Sequence, residues 1–157
     1  MKAFSSRLDL PDEPATAALA QRLAAVLRPG DVVALAGTLG MGKTVFARAF
    51  IRARLGAEEE VPSPTFTLVQ TYDDPDGWTL FHFDLYRLTD PEEAWELDIE
   101  DAFADGVSLI EWPDRLGTLL PASALTVTLQ GGATDAGRRA EVTGTAPWKT
   151  RLAEVLP

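Results

Sequence analysis

Apolar and polar positions alternate along Lys2–Leu10, where Phe4 and Leu8 share a parity, so the segment is predicted to be a strand that Pro11 ends. Asp12 is the expected cap of a helix whose Thr16, Leu19, Ala20, Leu23, Val26 and Leu27 fall on one side, with Pro29-Gly30 as the stop. Asp31–Ala36 is a short apolar run between turn signals, the pattern of a central strand covered on both faces. From Thr44 to Leu55 the period changes to helical: Val45, Phe46, Phe50 and Ile51 make an apolar side, Arg48, Arg52 and Arg54 a polar one, and Gly56 closes the run.

Ala57–Pro64, with three glutamates and two prolines, reads as an exposed loop. Thr65–Tyr72 and Trp78–Phe83 read as strands of a hairpin turned by Asp73–Gly77. Pro91, followed by Glu92 and Glu93, predicts a helix running through Trp95 and Leu97. Val107–Trp112 is a predicted buried strand. Leu125–Leu129 and Arg138–Val142 form a second predicted hairpin around glycines, and a short helix containing Trp148 and Leu152 follows. Strands alternating with helices give an α/β fold, and 157 residues are enough for a single domain spanning 1–157.

Composition narrows the chemistry. There is no cysteine, which removes disulfides, thiolate metal sites and cysteine nucleophiles. The single histidine, His82, accompanies no Gly-x-Ser-x-Gly elbow, so a serine hydrolase is not indicated. His82 alternates with Phe81 and Phe83 and is expected to be a satisfied, partly buried residue rather than a base. No apolar stretch approaches the ~20 residues of a membrane helix, and no leader pattern opens the chain, so a cytoplasmic protein without membrane contact is expected. A net charge of −10 without any Lys/Arg run argues against independent binding of nucleic acid and leaves simple solubility or a basic partner as its meaning.

Between the predicted strand and helix lies Gly37-Thr38-Leu39-Gly40-Met41-Gly42-Lys43-Thr44, a complete Gly-x₄-Gly-Lys-Thr sequence. Its glycines let backbone N–H groups converge on phosphates at a helix start, its lysine reaches the β- and γ-phosphates, and its threonine hydroxyl can ligate Mg²⁺. Lys43 is one of three lysines in the chain, so its place here does not follow from lysine abundance. Residues 37–45, Val45 included, are therefore the expected ATP-binding segment.

Such a site needs a carboxylate for the metal, normally at the end of an apolar strand. Asp84 ends Trp78–Phe83 and suits that role, or else caps a turn. Glu111 ends Val107–Ile110, where ligands of parallel sheets collect; it is a candidate to orient the attacking water, or else a solvated rim residue. Trp112 could stack near the nucleotide or sit in the core. Thr65, in the loop after the P-loop helix, could bring a hydroxyl to the metal and γ-phosphate, or simply start a strand.

These residues together resemble the bacterial TsaE ATPases of tRNA threonylcarbamoyladenosine synthesis. The resemblance rests on Pro29–Val32, the P-loop, Ser63–Phe66, His82–Leu88, Asp90–Glu92 and Glu111–Arg115, in order over about Leu8–Arg115. It implies a P-loop NTPase-like fold with a mixed, mostly parallel central sheet, flanking helices and β-hairpins. It also implies slow, Mg²⁺-dependent ATP hydrolysis supporting the partner proteins TsaD and TsaB, through which tRNA would be reached only indirectly. Carried over residue by residue, Lys43 and Thr44 hold phosphate and metal, Thr44, Thr65, Asp84 and Glu111 make the metal environment, and Lys43, Asp84, Glu111 and Trp112 form the catalytic set. Thr38, Met41 and Val45 depart from the residues common in that family, at positions where backbone does the binding.

A small-molecule kinase on the same loop is the alternative, though the chain shows no predicted arginine-bearing lid. A GTP switch is disfavoured: Asp74–Gly77 matches Asp-x-x-Gly only within a predicted hairpin turn, and a guanine-reading Asn-Lys-x-Asp is impossible in a chain without asparagine.

Overall fold

In the computed structural model, which describes residues 4–38 and 40–156, one seven-stranded sheet runs through the protein in the order β1-β7-β6-β2-β5-β4-β3. The strands are β1 (Phe4–Leu10), β2 (Val32–Ala36), β3 (Val69–Asp73), β4 (Thr79–Asp84), β5 (Val107–Glu111), β6 (Leu125–Gly131) and β7 (Arg138–Gly144). Parallel pairing joins the four central strands, β6 to β2, β2 to β5 and β5 to β4. Antiparallel β3 closes one edge, and β7 with β1 the other. The sheet is thus mixed, with its parallel part where the P-loop leaves β2.

The helices are α1 (Glu13–Ala24), α2 (Lys43–Leu55), α3 (Ile99–Asp105) and α4 (Ala146–Leu152). Asp12 caps α1 by accepting a bond from the Ala15 N–H at 2.9 Å, as its sequence position implies. That helix stops at Ala24, before the Pro29-Gly30 signal, although Leu27 remains buried beyond it. Lys2 and Ala3 of the predicted first strand lie outside the described residues.

Two apolar layers sandwich the sheet because side chains alternate across it. Val33, Leu35 and Leu109 face α1, α2 and the α4 residues Trp148 and Leu152. Val32, Ile110 and Phe83 face α3 and the 3₁₀ segments around it. Burial on both sides explains why β2 and β5 read as unbroken apolar runs.

Three expectations change in detail. Residues 65–68 form a turn rather than the start of a strand, and Leu68 adopts a φ of 71° before β3 begins. The segment opened by Pro91 is a 3₁₀ helix, Pro91–Leu97, with an Asp90/Glu93 capping box; it ends at Asp98, which is left-handed (φ 59°). The strand Val107–Trp112 stops at Glu111, because Trp112 is also left-handed (φ 59°, ψ 53°) and leads into a second 3₁₀ segment, Pro113–Leu119. That segment and α3 have no counterpart in the predicted elements.

Candidate functional site

The glycine loop owes its path to two backbone positions. Gly42 has φ 96° and turns the chain into α2. Gly37 has φ 136°, and a Cβ there would stand 2.4 Å from the Leu129 carbonyl oxygen of β6, so only glycine lets the loop lie against that strand. Lys43 folds back beneath the loop, and its ammonium donates to the Gly37 oxygen at 2.6 Å and the Thr38 oxygen at 2.9 Å. The same ammonium is 4.0 Å from the centroid of the Trp112 ring, a cation–π distance. Burial pushes the Lys43 ammonium below the usual lysine range, while Glu111, Asp84 and Asp114 oppose that shift.

Strand register brings the two predicted carboxylates together. Asp84 of β4 pairs with Glu111 of β5, at the carboxyl ends of adjacent parallel strands. Leu80, His82 and Asp84 share a face with Val107, Leu109 and Glu111, the face packed against α2. Both carboxylates are therefore directed to the helix that begins at Lys43. Glu111 is 2 % exposed, and its Oε1 accepts a 3.3 Å bond from the Thr44 hydroxyl. Asp84 accepts from the Thr65 hydroxyl at 2.8 Å and from the Tyr86 N–H at 3.1 Å. Ser63 in turn hydrogen-bonds Thr65 at 2.8 Å, so the loop after α2 is moored to the site by Thr65.

These groups surround an open cavity of about 400 Å³ lined by Gly40, Gly42, Lys43, Thr44 and Val45 on the loop side and by Thr65, Asp84, Glu111 and Trp112 opposite. Of the expected loop residues, Leu39 lies outside the described residues. Gly37 and Thr38 meet Lys43 by their carbonyls, and Met41 packs on the apolar layer beneath.

Arg138, Glu13, Thr16 and His82 are among the lining or supporting residues that were not assigned a role from sequence. Arg138, at the start of β7, reaches the Gly40 carbonyl at 3.3 Å, and Glu13 and Thr16 of α1 border the cavity near Val45. His82, instead of being partly buried, is 1 % exposed and meets Glu111 Oε2 through Nε2 at 2.7 Å. Its alternation with phenylalanines gave no sign of this, since both faces of β4 are covered.

The donors Thr44, Glu111, Asp84 and Thr65 are all oxygens, which suits a hard cation such as Mg²⁺. Among the described residues no three carboxylate or histidine groups cluster as a complete metal cage. Such a donor set fits an ion that completes its shell with phosphate and water oxygens. The arrangement can therefore receive a polyphosphate on backbone amides and an ammonium, with two carboxylates and two hydroxyls for its metal.

The family described as "Threonylcarbamoyl adenosine biosynthesis protein TsaE" matches residues 10–140. A Rickettsia bellii protein named tRNA threonylcarbamoyladenosine biosynthesis protein TsaE is 42% identical over 130 residues, which cover 83% of this chain and 90% of that one. The Bacillus subtilis protein of the same name is 38% identical over 146 residues, covering 93% and 87%. The crystal structure of Bacillus subtilis YdiB superposes with a TM-score of 0.74 at 30% identity, covering 98% of this chain and 94% of that one.

Proposed function

Since this chain belongs to the TsaE family, we propose that it is a Mg²⁺-dependent ATPase acting with the TsaD–TsaB pair in threonylcarbamoyladenosine modification of tRNA. It is a nucleotide-binding protein of that biosynthesis, on a P-loop fold. The observation that carries the proposal is the convergence of Lys43, Thr44, Asp84 and Glu111 on one cavity at the mouth of β2.

In this reading, backbone amides at the start of α2 and the Lys43 ammonium hold the β- and γ-phosphates. Thr44, Thr65, Glu111 and Asp84 would make the Mg²⁺ environment, the Thr65 hydroxyl being bonded to Asp84 as well. When bound, the ion neutralises charge on the phosphates and fixes their orientation. Asp84 and Glu111 are also the carboxylates available to order the attacking water by accepting its hydrogen bonds. The Trp112 ring covers one side of the Lys43 ammonium and lies 4.9 Å from the Tyr86 ring.

Exposed aromatics beside the cavity support the partner dependence proposed here. Phe66 is next to Thr65 and 79 % exposed, with the Arg87 guanidinium 4.4 Å over its ring. Tyr86, also exposed, lies on the rim. A protein covering these aromatics would sense whether Thr65 is engaged, and hydrolysis would then alter the complex. A net charge of −10 leaves tRNA contact to the partners. Action in the cytoplasm belongs to the same proposal; among the described residues no helix is long and apolar enough to cross a membrane.

The test is phosphate release from ATP with and without TsaD and TsaB, for the natural chain and Lys43→Ala. Slow release that rises with partners and disappears in the variant is expected. Formation of a phosphorylated small molecule instead of free phosphate would support a kinase.

A further inference from the structure

On the metal-site reading above, we propose that His82 is the positioning residue of Glu111, holding one carboxylate oxygen so that the other is presented to Thr44 and to Mg²⁺. The His82–Glu111 bond is 2.7 Å long, and the two side chains are 1 % and 3 % exposed. Register explains how it forms: His82 lies opposite Leu109, so Glu111 is the next residue on the same face of the neighbouring strand. The carboxylate can only accept, so the ring donates from Nε2 to Oε2. Oε1 is then the oxygen left toward the Thr44 hydroxyl at 3.3 Å.

Two further observations assign the histidine to this task rather than to packing. Its Nδ1 is buried without a hydrogen-bond partner, so the bond to Glu111 is the one polar contact offsetting the burial of the ring. A phenylalanine, which β4 already uses at positions 81 and 83, would fill the space without leaving a nitrogen unsatisfied. Glu111 has three side-chain torsions to fix, and Asp84 shows the same need met differently: its two oxygens are tied by Thr65 and by the Tyr86 N–H. Partners of this outer kind typically change metal affinity by about 10–100-fold when removed.

The test is calorimetric titration of ADP with Mg²⁺ or with EDTA, for the natural chain and for His82→Gln, His82→Asn and His82→Leu, with circular dichroism on each. A glutamine amide nitrogen can reach the place of Nε2, whereas an asparagine is too short. The expected result is that Asn and Leu raise the Mg²⁺ concentration needed for tight ADP binding about tenfold or more, while Gln stays within about threefold of the natural chain. Affinity in EDTA stays within about twofold throughout, and His82→Asn adds nothing to Glu111→Gln because the two act as one unit. If Leu unfolds the protein, the Gln and Asn pair decides. Equal Mg²⁺ dependence in all chains, equal loss in Gln and Asn, or a loss as large in EDTA would each overturn the role of His82. A natural chain that binds ADP without any Mg²⁺ effect would overturn the metal site itself, and one that binds no ADP would overturn the nucleotide reading before His82 is at issue.

Discussion

Asp84 and Glu111 are register partners on adjacent parallel strands, yet each carboxylate engages a different hydroxyl, Thr65 for Asp84 and Thr44 for Glu111. One hydroxyl belongs to the loop after α2 and the other to its first turn, so the pair bridges the fixed and the loop-borne halves of the cavity.

Asp84→Ala is therefore expected to abolish ATP hydrolysis while leaving the fold intact, since among the described residues its carboxylate accepts hydrogen bonds from the Thr65 hydroxyl and the Tyr86 N–H, neither of which holds the core together. Phosphate release and circular dichroism check the two halves of the expectation. Hydrolysis at the natural rate would remove Asp84 from the metal site.

Gly37→Ala places a methyl group 2.4 Å from the Leu129 oxygen at a backbone angle that side chains rarely adopt. A loss of about 1–3 kcal/mol in urea unfolding is expected, together with weaker ADP binding. Unchanged binding would mean that the loop does not need its close approach to β6.

Arg54 donates to both oxygens of Asp74, whose side chain is fully buried, and holds that carboxyl below the usual aspartate range. Its folded value lies below its unfolded one, so the stabilisation is present above the ordinary aspartate range and is lost as pH falls through the lowered value. Asp74→Asn should cost about 1.5–3 kcal/mol at neutral pH, and the deficit should shrink under acid. Denaturant curves at several pH values measure it; a pH-independent deficit would contradict the charge pairing.

Phe66→Ala removes an exposed ring that does not line the cavity. Basal ADP affinity is expected to stay within about twofold, while stimulation of hydrolysis by TsaD–TsaB falls at least about fivefold, since exposed aromatics are common anchors of interfaces. Unaltered stimulation would place the partner contact elsewhere.

The central unit of β2, the glycine loop and α2 was legible because its apolar period changes abruptly from a buried run to a helical one with a glycine at each break. Asp84 and Glu111 were legible as strand ends. The contact between His82 and Glu111 was not, since 29 residues separate them and only the pairing of β4 with β5 joins them. The helix predicted from Pro91 through Trp95 and Leu97 is a 3₁₀ turn, and α3, beyond the left-handed Asp98, was not anticipated; no proline or glycine marks the break between them. Thr65 was placed at a strand start because Thr65–Tyr72 reads as a strand-like run, but its hydroxyl is taken by Asp84 and Leu68 turns left-handed instead.

The contact of Gly37 with Leu129 gives the last third of the chain a meaning that its motif-poor sequence conceals. The phosphate loop rests on β6, and Arg138 of the returning strand clasps the loop from outside at Gly40. A truncated protein ending at Arg115 would retain every signature residue from Pro29 onward, yet it would lack the floor and the buckle of its own nucleotide pocket.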